Sequence, residues 1–373
     1  MAHIKREILT AGEKLGFVRP RVATIGRVER DEFFRRWLDD GRAGDMRFLL
    51  HHVKVRLDPR TRYPWARSVI SAFFPYAAPP PPRVDWRREL RGRVAAYAAG
   101  PDYHDVMGER LARWAAAVEE IAPGARAAGF VDTAAVFEHE WAARAGVGWT
   151  GKHTLTLSED EGSYAFLGEL LVSLELDPDA PVPDRCGTCT RCIASCPTNA
   201  IEPGYLLEPR RCISYLTIEH RGAIPRELRS LLGEWVFGCD LCQIACPWNR
   251  DEVGPDLDEL APDLRMLLAL DEEGFAARYG ASALRRTGRT GRIGLARNAA
   301  VVLGNTGNPD AVPALAEALR SHDAPLVRQH VAWALGRLRD VDPQGACAAL
   351  ERALHDPDEA VRAEARDALD GVG

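Results

Sequence analysis

A chain of 373 residues with 46% hydrophobic side chains is long enough for two or three domains and a large buried core. Its net charge of −6 excludes nucleic-acid binding through a global basic field, and no run of about 18 apolar residues offers a membrane-spanning helix. Lys5 and Arg6 are followed by no apolar stretch of signal-peptide length, so a soluble, cytoplasmic protein with reduced thiols is expected. Only four of the 48 basic residues are lysines. Arginine's planar fork suits phosphates, but a compositional bias toward Arg, Ala and Gly explains the excess equally well.

Residues 1 to about 50 read as helical, with Ile4, Ile8 and Leu15 and then Phe33, Trp37 and Leu38 recurring at helical spacing. Residues 67–76, RSVISAFFPY, lie between Pro64 and Pro75 and read as a buried strand. The prolines 79–82 forbid regular structure and read as a surface loop. A helix is expected over Asp105–Ile121, and another from a cap at Asp132 or Thr133 to about Arg144, before Gly146. Thr154–Ser158 and Leu170–Leu176 read as strands. This alternation predicts an α/β domain over residues 1–177, left through a linker containing Pro178, Pro181 and Pro183.

Residues 178–255 read as a ferredoxin-like domain with two clusters. Cys186, Cys189, Cys192 and Cys196-Pro197 have the C-x2-C-x2-C-x3-C-P spacing that holds a cubane iron–sulfur cluster, the fourth cysteine reaching a neighbouring cluster. The second run, Cys239, Cys242 and Cys246-Pro247, is one cysteine short, and Cys212 replaces it. Eight thiols thus satisfy two [4Fe–4S] clusters: Cys186, Cys189, Cys192 and Cys246 for one, Cys196, Cys212, Cys239 and Cys242 for the other. Zinc sites also use paired C-x2-C but rarely this spacing, and a disulfide framework needs an oxidising compartment. Cys347, in an alanine-rich helical pattern, reads as a small core residue.

From 256 to 373 only helices are expected. RNAAVVLGN from Arg297, RQHVAWALGRL from Arg328 and RAEARDALDGV from Arg362 start 31 and then 34 residues apart, separated by Asp/Pro turns, as in a HEAT-like solenoid that binds a partner. Just before them Arg285, Arg286, Arg289, Arg292 and Arg297 fall together without an acid. They read either as a phosphate-binding patch or as a solvated loop.

Two clusters form an electron wire, and the α/β domain is the place for an acceptor. Asp132, in GFVDTAAVF, is either a helix N-cap or a proton donor in a cleft. Trp149–Thr154 places Lys152 and His153 at a glycine turn before a strand. Asp102-Tyr103-His104 nearly completes a D-x-H-x-x-G cobalamin-ligating sequence, but Met107 occupies the glycine position and rules the motif out. Neither G-x-G-x-x-G after a strand nor a P-loop is present, which argues against a bound dinucleotide or ATP.

Taken together, RLDPRTRYPWARSVI (Arg56–Ile70), YAAGPDYH (Tyr97–His104), VDTAAVFEHEWAARAGVGWTGKHTLTL (Val131–Leu157), FLGEL (Phe166–Leu170), the cysteine block, CISYLTIEHRG (Cys212–Gly222) and FGCDLCQIACPWN (Phe237–Asn249) resemble the epoxyqueuosine reductase family over nearly the whole chain. Departures are small: Trp65 stands where glycine is common and Ala96 where arginine is common. The resemblance implies a cobalamin-dependent iron–sulfur enzyme of tRNA queuosine biosynthesis. Its cobalamin would be base-off, without a protein histidine on cobalt, and would receive electrons from the two clusters. By position, Arg56, Tyr97, Asp132, His153, Thr156, Leu167, Ser214 and Asp240 would contact it, with Asp132 as the proton donor. The arginine patch and repeats would hold the anticodon stem-loop of a tRNA, an external low-potential donor would supply electrons, and a monomer is expected. Two other readings stay open at this point. A reductive dehalogenase shares the cofactors but is usually exported and has no use for a solenoid, and an electron-transfer scaffold leaves the α/β domain unexplained.

Overall fold

The computed structural model describes residues 1–79, 85–249, 258–285 and 291–371. The chain divides into two compact units, one of Met1–Ala78, Pro101–Arg210 and Leu241–Glu252, the other of Pro79–Gly100, Arg211–Asp240 and Val253–Gly373. Residues 178–255 are therefore shared between the units. Among the described residues no helix is long and apolar enough to cross a membrane.

The first unit is built on a four-stranded sheet of β1 (Val18–Thr24), β2 (Ser68–Pro75), β3 (Ala127–Phe130) and β4 (Ala165–Val172), in the order β1-β2-β4-β3. Every neighbouring pair is antiparallel, so the alternation of helices and strands builds a mixed α/β unit without parallel βαβ crossovers. Both faces are covered, which explains why the central strands read as continuous apolar runs. Val22, Ile70, Leu170 and Val172 face α1 (Ala2–Lys14) and α3 (Tyr103–Ile121); Ala23, Val69, Phe73 and Leu171 face α2 (Asp31–Asp39) and α4 (Glu138–Ala145). Trp114 of α3 lies so close over Gly12 of α1 that a Cβ there would sit 2.4 Å from its ring, and its indole N–H donates to the Ile8 carbonyl at 2.8 Å.

Two departures from the sequence reading have local causes. The stretch 1–50 is not all helix. It includes β1, which was hidden by Pro20 and by Arg19 and Arg21, and which tolerates the proline because it is an edge strand with a register shift between Val18 and Arg21. The helix expected from Asp132 begins only at Glu138, with Phe137 as its N-cap, and ends at Gly146 with φ +77°. Asp132 therefore caps nothing. Beyond Pro79, the proline loop lies outside the described residues.

In the second unit, α5 (Arg292–Thr306), α7 (Pro325–Arg337) and α9 (Glu359–Leu369) stack in one row, with α6 (Val312–Ser321) against α8 (Pro343–Ala353) in another. This two-row stack is what the repeated sequence encodes. The α5 side chains are almost all buried, from Leu295 to Leu303, and Asp342 and Asp358 cap the next helices through their side chains. Cys347 lies on α8 and is only half-buried, not a full core residue. Arg229 is buried against Glu364 of α9 at 2.9 Å, which also binds Arg226 at 2.7 Å.

Candidate functional site

The first unit holds two adjoining pieces of chemistry. In one, Cys186, Cys189, Cys192 and Cys246 line a single small cavity together with Lys152, His153 and Trp248. The turn carrying the first thiols is pinned from several sides. The Lys152 ammonium donates to the Gly187 and Cys189 carbonyls at 2.6 and 2.9 Å, and the Cys186 amide donates to Asp184 at 2.7 Å. Asn249, just past Cys246, donates to the Gln243 carbonyl at 2.7 Å and accepts from the Ser163 amide at 2.7 Å. Burial pushes the Cys192 and Cys246 thiols up, and their neighbours would repel further charge. Four such thiols can ionise together only around cations, which is what the irons of a cluster supply. Among the described residues no three His, Cys, Asp or Glu side chains converge on a single-ion position; the thiols ring a space instead.

The second piece is a cavity of about 760 Å³, walled by Phe34, Trp37, Phe137 and Trp149 and by the polar Glu138, His139, Thr150 and Thr154. Residues 149–157 form a tight hairpin, Trp149 opposite Leu157 and Thr150 opposite Thr156, whose turn puts Thr154 at φ +68°. There the His153 Nδ1 accepts from the Leu155 amide at 3.2 Å, which leaves Nε2 as the N–H donor, and Nε2 is buried without a partner. His139 Nδ1 is 2.7 Å from the Thr156 hydroxyl. Burial lowers both imidazoles, to about 4, with the two rings also disfavouring each other's charge at His153. His139 opens onto the cavity, so water there relieves part of that effect until a ligand closes over it.

Asp132 stands on the loop 131–137 that links β3 to α4. It is 51% exposed at the side chain, with His104 Nε2 at 2.9 Å and the Tyr103 hydroxyl donating to its other oxygen. His104 Nδ1 bonds Asp102, which is buried. Burial works against the His104 charge, but Asp132 and Asp102 together raise its pKa, favouring an imidazolium that donates to both. Beneath the loop Val136 is buried, and Arg56 donates to the Ala134 and Val136 carbonyls at 3.4 and 3.3 Å. Leu167 is buried in the same core.

Sequence reasoning missed Glu138 and Glu169. Glu169 is fully buried in β4 and accepts from the Ser71 hydroxyl at 3.0 Å; burial drives its carboxyl well up, and it drives Glu138 up to about 7. The signal was a carboxylate inside the otherwise apolar FLGELLV run. Arg56 Nε, Glu138 Oε1, His153 Nε2 and Glu169 Oε2 are all buried without hydrogen-bond partners.

The remaining expected contacts belong to the second unit. Asp240 is buried and accepts from the Ala96 amide at 2.8 Å, Tyr97 packs near Phe237, and Ser214 lies on the helix Ile213–Ile218 that begins after Cys212. Thr217 of that helix accepts from the Gly238 amide at 2.9 Å, just before Cys239. The arginine patch does not survive as a set. Arg286 and Arg289 lie outside the described residues, and Arg285 donates to the Gly280 carbonyl at 3.2 Å. Arg292 is buried between Glu272 at 2.9 Å and Asp323 at 2.6 Å. Arg297 is 1% exposed and caps the carbonyls of His220, Gly222 and Leu216 at 2.8, 2.8 and 2.7 Å. Its place on the buried face of α5 decides its role, and that face is structural.

Residues 185–249 match the 4Fe-4S double cluster binding domain, which places the chain among the two-cluster iron–sulfur proteins. Residues 56–133 match the family described as epoxyqueuosine reductase QueG, and 291–370 match HEAT repeats. The epoxyqueuosine reductase of Xanthomonas campestris pv. campestris is 41% identical over 344 residues, 88% of this chain and 95% of that one. That of Escherichia coli strain K12 is 37% identical, covering 92% and 91%. Among solved structures, the Streptococcus thermophilus enzyme superposes with a TM-score of 0.89 at 30% identity, covering 98% of both chains. An epoxyqueuosine reductase crystallised with an epoxyqueuosine-modified tRNA-Tyr stem loop does so at 0.90 and 28%, covering 100% and 99%. The chain belongs to the epoxyqueuosine reductase family.

Proposed function

We propose that the chain reduces epoxyqueuosine to queuosine in tRNA. The observation that carries this reading is the likeness over about nine-tenths of the chain to enzymes of that name, one of them solved on the modified stem loop. Removing the epoxide oxygen takes two electrons and two protons and releases water. Cys186, Cys189, Cys192 and Cys246 would hold one [4Fe–4S] cluster, and Cys196, Cys212, Cys239 and Cys242 the other, the pair relaying electrons from an external low-potential donor. Cobalamin would supply a low-valent cobalt able to act on the epoxide carbon. On the protein side of its site, Arg56, His153 and Thr156 offer the unpartnered donors and the hydroxyl that would grip its amides, with Leu167 behind them.

Asp132 would give the proton that the opening epoxide oxygen needs. His104 and Tyr103 orient its carboxyl. A Bacillus subtilis epoxyqueuosine reductase, 27% identical with a TM-score of 0.88, has been solved with its aspartate-bearing catalytic loop swung out of the active site; we take loop 131–137 as the corresponding part. Purification without oxygen tests the cofactor set. About eight irons per chain and one bound cobalamin are expected, and a protein that takes up no cobalamin contradicts the reading.

For tRNA, the surviving candidates are Arg285, Arg286 and Arg289. Reversing these three to Glu should weaken binding of an anticodon stem-loop and flatten its salt dependence, since each lost phosphate contact removes counterion release. Arg297→Glu should behave otherwise. It orphans the buried Leu216 carbonyl, at a cost of about 1–3 kcal/mol, strips the part-buried His220 and Gly222 carbonyls of their donor, and should show as a lost melting transition. Filter binding against salt, with thermal melts of the same variants, separates the two roles.

A further inference from the structure

The loop that carries Asp132 rests on two carboxyl groups for which the reading above has no use. Glu169 lies in the middle strand of the sheet, opposite Ser71 on one side and Phe130 on the other. Phe130 is the last residue of β3, and Asp132 follows it by two residues. Glu169 alternates in phase with Leu167 and Leu171, which belong to the core beneath α4, and Glu138 is the first residue of that helix. Glu138 Oε1 and Glu169 Oε2 are both buried without a hydrogen-bond partner. Burial of an unpaired carboxylate is costly, so a carboxyl in such a place keeps its proton. Each is within the field of the other and of Asp132, and Arg56, from the helix Val53–Leu57, is the cation facing Glu138.

We propose that Glu138 and Glu169 form a proton store beneath the Asp132 loop, and that this store returns to Asp132 the proton it gives up during each turnover. The inference rests on the proposed reduction. That reaction breaks both C–O bonds of the epoxide, forms the C=C bond and one molecule of water, and consumes two electrons from a low-potential one-electron donor and two protons. Asp132 holds only one proton at a time. His104 could return one, but it is clasped between Asp102 and Asp132, two carboxylates that hold its proton in place. The carboxyl pair is the nearby reservoir whose free oxygens carry no hydrogen bond, Arg56 being the cation that faces Glu138.

Two measurements test this. Infrared spectroscopy of the purified protein at pH 7 should show the carbonyl band of a neutral carboxylic acid, reduced in both variants and more strongly in Glu169→Gln than in Glu138→Gln; this readout needs no turnover. With dithionite as reductant, wild-type turnover should hold up to about pH 7, the value to which Glu138 is pushed, and decline above it. In either Gln variant the decline should begin lower, leaving turnover about tenfold or more below wild type at pH 8, while at pH 5 bulk protons restore much of the rate. Should Glu169→Gln fail to fold, Glu138→Gln carries the test. A wild-type protein without the neutral band, or Gln variants with the wild-type pH profile, overturns the store. A wild-type protein that shows the band yet converts no epoxyqueuosine sinks the reduction itself, and the return step with it.

Discussion

Asp132→Asn is expected to bind cobalamin and both clusters and to lose turnover by about 100-fold or more, the usual scale of general acid catalysis. Asparagine is nearly isosteric, and its carbonyl oxygen can still accept from His104 or Tyr103, so the loop and its orientation should persist. What disappears is the proton. The competing role for this residue, an N-cap, is removed by the structure, because the helix that follows starts six residues later at Glu138. Had it been a cap, Asn would have replaced Asp with little loss. Steady-state conversion of modified tRNA, with cobalamin and iron content measured on the same sample, decides the matter. Near-wild-type turnover in a fully loaded variant would move the donor role to His104 or to water.

Cys246→Ala should remove one cluster and spare the other, leaving about four of about eight irons. Cys246 closes the second cysteine run in the sequence, yet it lines the same cavity as Cys186, Cys189 and Cys192, so the cluster lost should be the one held by the first run. Cys212→Ala should take the other cluster. Each variant should retain one cubane electron-paramagnetic signal after reduction, and a different one. Cys347→Ala, half-buried on α8, should keep all the iron. Loss of iron in Cys347→Ala, or an unchanged iron content in Cys246→Ala, would break the ligand assignment.

The cysteine block was legible because cluster chemistry is local: three thiols within seven residues, each before a short turn, leave few other purposes. The solenoid was legible because a repeat announces itself through its own recurrence and its Asp/Pro turns. Asp132 was legible only as a choice between two roles, since where a helix begins depends on tertiary packing that no capping preference sees. Glu138 and Glu169 were not legible. Their chemistry comes from the apolar neighbours that strand pairing and helix packing bring over them; Glu169 left one trace, a carboxylate inside an otherwise apolar run, and Glu138 left none. The arginine run misled for the complementary reason: a cluster along the chain is not a cluster in space once Arg297 turns into the buried face of α5 and Arg292 finds Glu272 and Asp323. Likewise β1 was masked by Pro20, which only an edge position allows.

The central claim is that this chain converts epoxyqueuosine to queuosine on tRNA with cobalamin as its cofactor. It is tested most directly by incubating the cluster-loaded protein with epoxyqueuosine-containing tRNA and a chemical reductant, with and without cobalamin, then digesting the tRNA and weighing its nucleosides. The expected result is a loss of one oxygen mass from the modified nucleoside, dependent on cobalamin and slowed about 100-fold or more in Asp132→Asn. Epoxyqueuosine returned intact by protein carrying both clusters and cobalamin would contradict it.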